Sequence, residues 1–110
     1  MIQLKDRSTT EELQEVVQRV IGRFSPDKIL LYGSFAYGDP RPDSDFDLLV
    51  VLPDPPARQV GYEVAREIRL NHPLQLVFMN TEKFEETKDV VGGLAYPANH
   101  WGKVLHEKAS

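Results

Sequence analysis

The sequence has no cysteine, which excludes disulfide cross-links, thiolate metal sites and a cysteine nucleophile. It has no long apolar run either. The longest, Leu48 to Leu52, falls far short of the ~20 residues that span a bilayer. Basic residues are not in excess: 17 acidic against 13 basic side chains give a formal net charge of −4. That balance opposes broad capture of nucleic acid, whose phosphates need a basic face. The opening Met1-Ile-Gln-Leu-Lys-Asp-Arg7 lacks the apolar centre of a signal peptide. The expectation is a soluble, cytoplasmic protein that binds neither membrane nor nucleic acid directly.

What is present is the composition of a folded domain. Hydrophobic residues make up 41% and charged residues 27% of 110 positions, which argues against disorder. That length fits a single domain over 1–110 with a modest core and no room for a second lobe.

Apolar periodicity predicts a helix over 9–24, where Leu13, Val16, Val17, Val20, Ile21 and Phe24 recur at three- and four-residue intervals. Thr9 and Glu12 form a candidate capping box, and Pro26 stops the helix. Lys28–Tyr32 reads as a buried strand, 35–44 as a loop whose start can form a helical turn, and Asp45–Leu52 as a second strand. A helix from Ala57 to Leu70 follows, then a strand over Pro73–Met79. Thr81 is the expected cap of a short helix to Lys88. Gly92-Gly93 separates it from a helical stretch over Leu94–Trp101, in which Pro97 fits only near the first turn. Val104–His106 adds a short last strand. The order is that of an α/β (α+β) domain, a small mixed β-sheet with its helices packed mainly on one face.

The segment that carries chemistry is Gly33-Ser34 followed, after ten residues, by Asp45-Phe46-Asp47. Side chains alternate along a strand, so Asp45 and Asp47 project the same way, about 7 Å apart, while Phe46 points into the core. Two such carboxylates repel each other unless a cation lies between them, and oxygen ligands suit Mg2+. Gly33 lets a phosphate approach the backbone, and the Ser34 hydroxyl and nearby amides donate to its oxygens. Taken singly, Asp-x-Asp beside a proline-rich loop is turn solvation more often than function. Together, each at a strand boundary, the two motifs point to phosphoryl or nucleotidyl transfer.

Gly33-Ser-Phe-Ala-Tyr-Gly38 with Ser44-Asp-Phe-Asp-Leu-Leu-Val-Val51 resembles the signature of the DNA polymerase β-like nucleotidyltransferase superfamily. More closely, it resembles the minimal nucleotidyltransferases (MNT) that pair with HEPN-type toxins. The likeness extends to the amphipathic first helix, the strand before Gly33 and the closing Trp-Gly-Lys-Val-Leu-His-Glu segment. It implies a nucleotidyltransferase fold with ATP and Mg2+ as ligands. Gly33 and Ser34 would hold phosphates, and Asp45 and Asp47 would be catalytic and hold the metal.

The chain departs from the family's pattern at two positions. Tyr37 stands where arginine is frequent. Gln75, within Leu74-Gln-Leu76, stands where the family carries a third acid. A glutamine carbonyl can ligate a metal but is neutral and cannot act as base. The two-metal arrangement is therefore not expected, whereas the ion that accompanies the nucleotide is.

The remaining candidates read as structure. His72 reads as a turn residue, His100 and His106 as structural or solvated, Trp101 as core or interface in preference to a base-stacking platform. Glu82, Glu85 and Glu86 with Lys83 and Lys88 read as a solvated helix face. At this length no acceptor domain is expected, so the resemblance implies AMP transfer from ATP to a hydroxyl of a partner, a small helical HEPN-family protein, in an antitoxin role. The alternative is a catalytically impaired module that neutralises its partner by binding.

Overall fold

A computed structural model describes residues 7–38, 40–41 and 43–109. Positions 39 and 42, inside the expected 35–44 loop, lie outside the described residues.

Helix α1 (Arg7–Phe24) carries the expected apolar stripe, with Leu13, Val16, Val17 and Val20 fully buried. It is already under way at Arg7, so Thr9 is not its cap. Glu12 instead accepts a 2.6 Å hydrogen bond from the backbone N–H of Asn71 and ties α1 to the turn before the third strand. The helix ends where Ser25 takes a left-handed conformation (φ 47°) and Pro26 cannot continue the ladder.

Strand β1 (Lys28–Tyr32) leads into a single helical turn, α2 (Ser34–Tyr37), and strand β2 (Phe46–Leu52) follows the loop. Helix α3 (Arg58–Glu67) is shorter than its apolar pattern, because Ile68 is already extended. Strand β3 (Leu74–Asn80), helices α4 (Thr81–Thr87) and α5 (Ala95–Trp101), and strand β4 (Lys103–Glu107) complete the chain. The α4 cap is Asn80, whose side chain accepts from the Lys83 N–H, not Thr81. The Thr81 hydroxyl instead donates to Asp27 at 2.6 Å.

The sheet order is β3-β2-β1-β4, with β2 and β3 parallel and the other pairs antiparallel. As expected, the two long helices share a face: α1 and α3 close over Ile29, Leu31, Leu48, Val50 and Leu76. The short α4 and α5 cover the opposite face with a smaller cluster of Leu30, Leu49, Val51, Phe84, Ala95 and Ala98. Apolar side chains on both faces explain why β2 reads as a nearly unbroken hydrophobic run. Gly61 sets the α3–β3 distance, since a Cβ there would lie 2.9 Å from the Leu76 carbonyl oxygen. Among the described residues no helix is long and apolar enough to cross a membrane.

Candidate active site

The sheet delivers the motif residues to one edge of the fold. The last residue of β1 pairs with the second of β2, Tyr32 with Asp47, and Asp47 pairs on its other side with Gln75 of β3. Residues opposite one another in neighbouring strands share a face. Tyr32, Asp47 and Gln75 therefore form a row on the side covered by α5. Asp45 sits one residue before β2 and is exposed, and the intervening Phe46 is fully buried in the α1–α3 layer. Within β2, Phe46 and Asp47 take opposite faces, as the alternation predicts.

Gly33 joins this row through its backbone. It has φ 76° and ψ −161°, a region open essentially to glycine alone. A Cβ built on it would collide with Oδ2 of Asp47. The turn and the carboxylate are thus in contact across thirteen residues of sequence. The Gly33 carbonyl accepts from the N–H groups of Ala36 and Tyr37, both at 3.0 Å, which closes α2. The amides of Ser34 and Phe35 precede that closure and have no acceptor within the turn.

Electrostatics mark Asp47. Its burial, and secondly the charge of Asp45, hold its carboxyl up at about 6. Among the described residues no lysine, arginine or histidine forms an ion pair with either aspartate. Burial, followed by Asp47 and Tyr37, pushes the Tyr32 hydroxyl up to about 12, so Tyr32 remains a neutral phenol beside the carboxylate.

This donor set suits one hard divalent cation. Mg2+ is commonly held by one or two carboxylates together with substrate phosphates, and the glycine turn keeps one side of Asp47 free of any side chain. Among the described residues no third Asp, Glu or His joins the pair. The register puts Gln75 at the position from which a third group would reach it.

Sequence reasoning did not single out Tyr32. Its signal was available: it is the strand residue immediately before the Gly-Ser turn, and it pairs with the second aspartate of the motif. His72 is more than a turn residue, because its ring packs edge-on against Phe35 (5.0 Å) and Phe46 (5.2 Å) and so backs the motif from beneath. His100 is held by Asp89 at 3.0 Å. Trp101 is not core: 59% of it is exposed.

Residues 13–95 match the nucleotidyltransferase domain family, and the chain belongs to that family. The matched span runs from within α1 to the first residue of α5, and so contains the whole glycine–aspartate constellation. Among solved structures, a 1.40 Å crystal structure of a Sulfolobus solfataricus chain assigned to the nucleotidyltransferases is 26% identical. Its TM-score is 0.51, over 77% of this chain and 85% of that one. No protein of curated function matches the chain.

Proposed function

We propose that the protein transfers AMP from ATP to a hydroxyl of a partner protein in a Mg2+-dependent reaction, and that the partner is a small helical HEPN-type toxin which the transfer neutralises. The observation that carries this reading is the contact between the side-chain-free face of Gly33 and the carboxylate of Asp47. A phosphate seated on the turn is thereby within reach of a metal-binding aspartate. Gly33, Ser34 and the adjacent amides bind and orient the phosphates, and Asp45 and Asp47 hold the cation. Bound Mg2+ supplies charge neutralisation on the triphosphate as the transition state develops. The acceptor oxygen attacks the α-phosphorus, the bond to the pyrophosphate oxygen breaks, and the hydroxyl proton passes to water. The net charge of −4 favours a protein acceptor over a nucleic acid.

Incubation with labelled ATP, Mg2+ and the co-expressed partner should label the partner, and the double variant Asp45→Asn, Asp47→Asn should abolish labelling. Label that persists in the double variant would overturn the assignment. A second reading is favoured by one observation, the neutral Gln75 directly opposite Asp47. In that reading the domain binds nucleotide and neutralises its partner by complex formation alone. It then gives no label, yet a stable complex that the two aspartate substitutions leave intact.

A further inference from the structure

We infer that the cleft walled by Tyr37 and Trp101 receives the purine ring of the nucleotide; this rests on the nucleotide-binding reading above. The cleft has a volume of about 480 Å3 and is lined by Ala36, Tyr37, His100 and Trp101. Both large rings lie open, Tyr37 at 50% and Trp101 at 59% exposure. Flat, exposed aromatic faces suit a heterocycle, because every base offers a π-face to stack.

Position ties the cleft to the phosphate turn. Tyr37 ends the single helical turn that Ser34 begins. On the other wall, Gly102 presses α5 against β1: a Cβ there would lie 2.6 Å from the carbonyl oxygen of Leu31, two residues before Gly33. Trp101, next to Gly102, is therefore fixed beside the strand end that supplies the turn. The wall is also braced. Trp101 packs edge-on to Tyr96 (5.6 Å), Tyr96 lies over His100 (4.3 Å), and His100 is bonded to Asp89. A wall held in place before binding loses little freedom when a ligand arrives. Among the described residues the lining carries no lysine or arginine, so it selects the base and leaves the phosphates to Gly33 and Ser34.

Trp101 is the sole tryptophan of the chain, so fluorescence excited at the red edge, where tyrosine does not absorb, reports this wall alone. Wild-type protein is titrated with Mg·ATP and with Mg·tripolyphosphate, by fluorescence and by calorimetry. Calorimetry is repeated on Trp101→Ala, Trp101→Phe and Tyr37→Ala. The expected result is quenching by ATP and binding of tripolyphosphate without quenching. Trp101→Ala and Tyr37→Ala should each weaken ATP by about 5-fold or more and leave tripolyphosphate unchanged, with Trp101→Phe retaining most of the affinity. ATP affinity unaltered in Trp101→Ala would overturn the purine site and leave the phosphate site standing. Equal loss of ATP and tripolyphosphate in that variant would also overturn it, by assigning Trp101 a structural role. If the wild type binds neither ligand, the nucleotide-binding reading fails together with the inference.

Discussion

Replacing Asp47 with asparagine is predicted to make the free protein more stable. Burial and the neighbouring Asp45 hold this carboxyl at about 6 where an ordinary aspartate has 3.8. At about 1.4 kcal/mol per pH unit, keeping it ionised in the folded chain costs about 3 kcal/mol at full weight. The side chain is only half-buried, so solvent screening reduces the figure to about 1–2 kcal/mol. The sign follows from linkage. Between pH 3.8 and about 6 the folded state binds the proton more readily than the unfolded one. The contribution of Asp47 to stability is therefore greatest below 3.8, declines as pH rises through that interval, and is flat above it. Asparagine cannot ionise and shows no such decline. Urea or thermal unfolding, followed by circular dichroism in chelator at pH 7.5, 6 and 4.5, should put Asp47→Asn ahead by about 1–2 kcal/mol at the highest pH. At about 4–8 °C per kcal/mol for a domain of this order of size, the shift is easily measured. The gap should shrink as the buffer is made more acid, and adding Mg·ATP should raise the wild type only. A variant no more stable than wild type at pH 7.5, or a gap that ignores pH, would refute the reasoning.

Gly33→Ala should lower stability by about 1–3 kcal/mol, since it strains a glycine-only conformation and drives a methyl group into the Asp47 carboxylate. Calorimetry should also show ATP binding lost, with the fold retained by circular dichroism. Gln75→Asp adds a carboxylate opposite Asp47 and should raise AMP transfer by about 10-fold or more. The same variant should lower the melting temperature of the metal-free protein; transfer no faster than wild type would mean that the missing acid is not limiting.

The fold was legible wherever a residue's fate is decided by its near neighbours in sequence. The apolar stripe of α1, the unbroken hydrophobic run of β2 and the turn formers around Gly33 each follow a local rule, and each element lies where that rule puts it. Partners distant in sequence were not legible. Glu12 was read against Thr9, three residues away, but its hydrogen bond goes to Asn71, fifty-nine residues on. Thr81 looked like a cap until the fold offered it Asp27 and left Asn80 to cap α4. The site divides in the same way. Residue types and spacing named Gly33, Ser34, Asp45 and Asp47, and the resemblance pointed to Gln75, but only strand register shows that Gln75 and the unsuspected Tyr32 flank Asp47. Trp101, read as core or interface, is not core, because its helical register with Leu94 and Ala98 ignores where α5 ends: Gly102 seats the helix on β1 and leaves the last ring outside.

Gln75 separates two tasks that a third carboxylate would join. In the proposed reading, holding a cation beside the triphosphate needs negative charge, which Asp45 with Asp47 would supply. Taking a proton from the acceptor needs a base, and a side-chain amide is not one at neutral pH. Without metal, burial and then the charge of Asp45 already hold Asp47 at about 6, and a third carboxylate in register would add repulsion to that. A neutral residue there leaves the free protein easier to fold and, in the proposed reading, would keep the nucleotide's own cation site at the expense of the proton-transfer step. On the proposed reading, the domain should thus bind Mg·ATP well and transfer AMP slowly unless the partner brings the base. That makes the acceptor's surroundings, and not this chain alone, the determinant of rate.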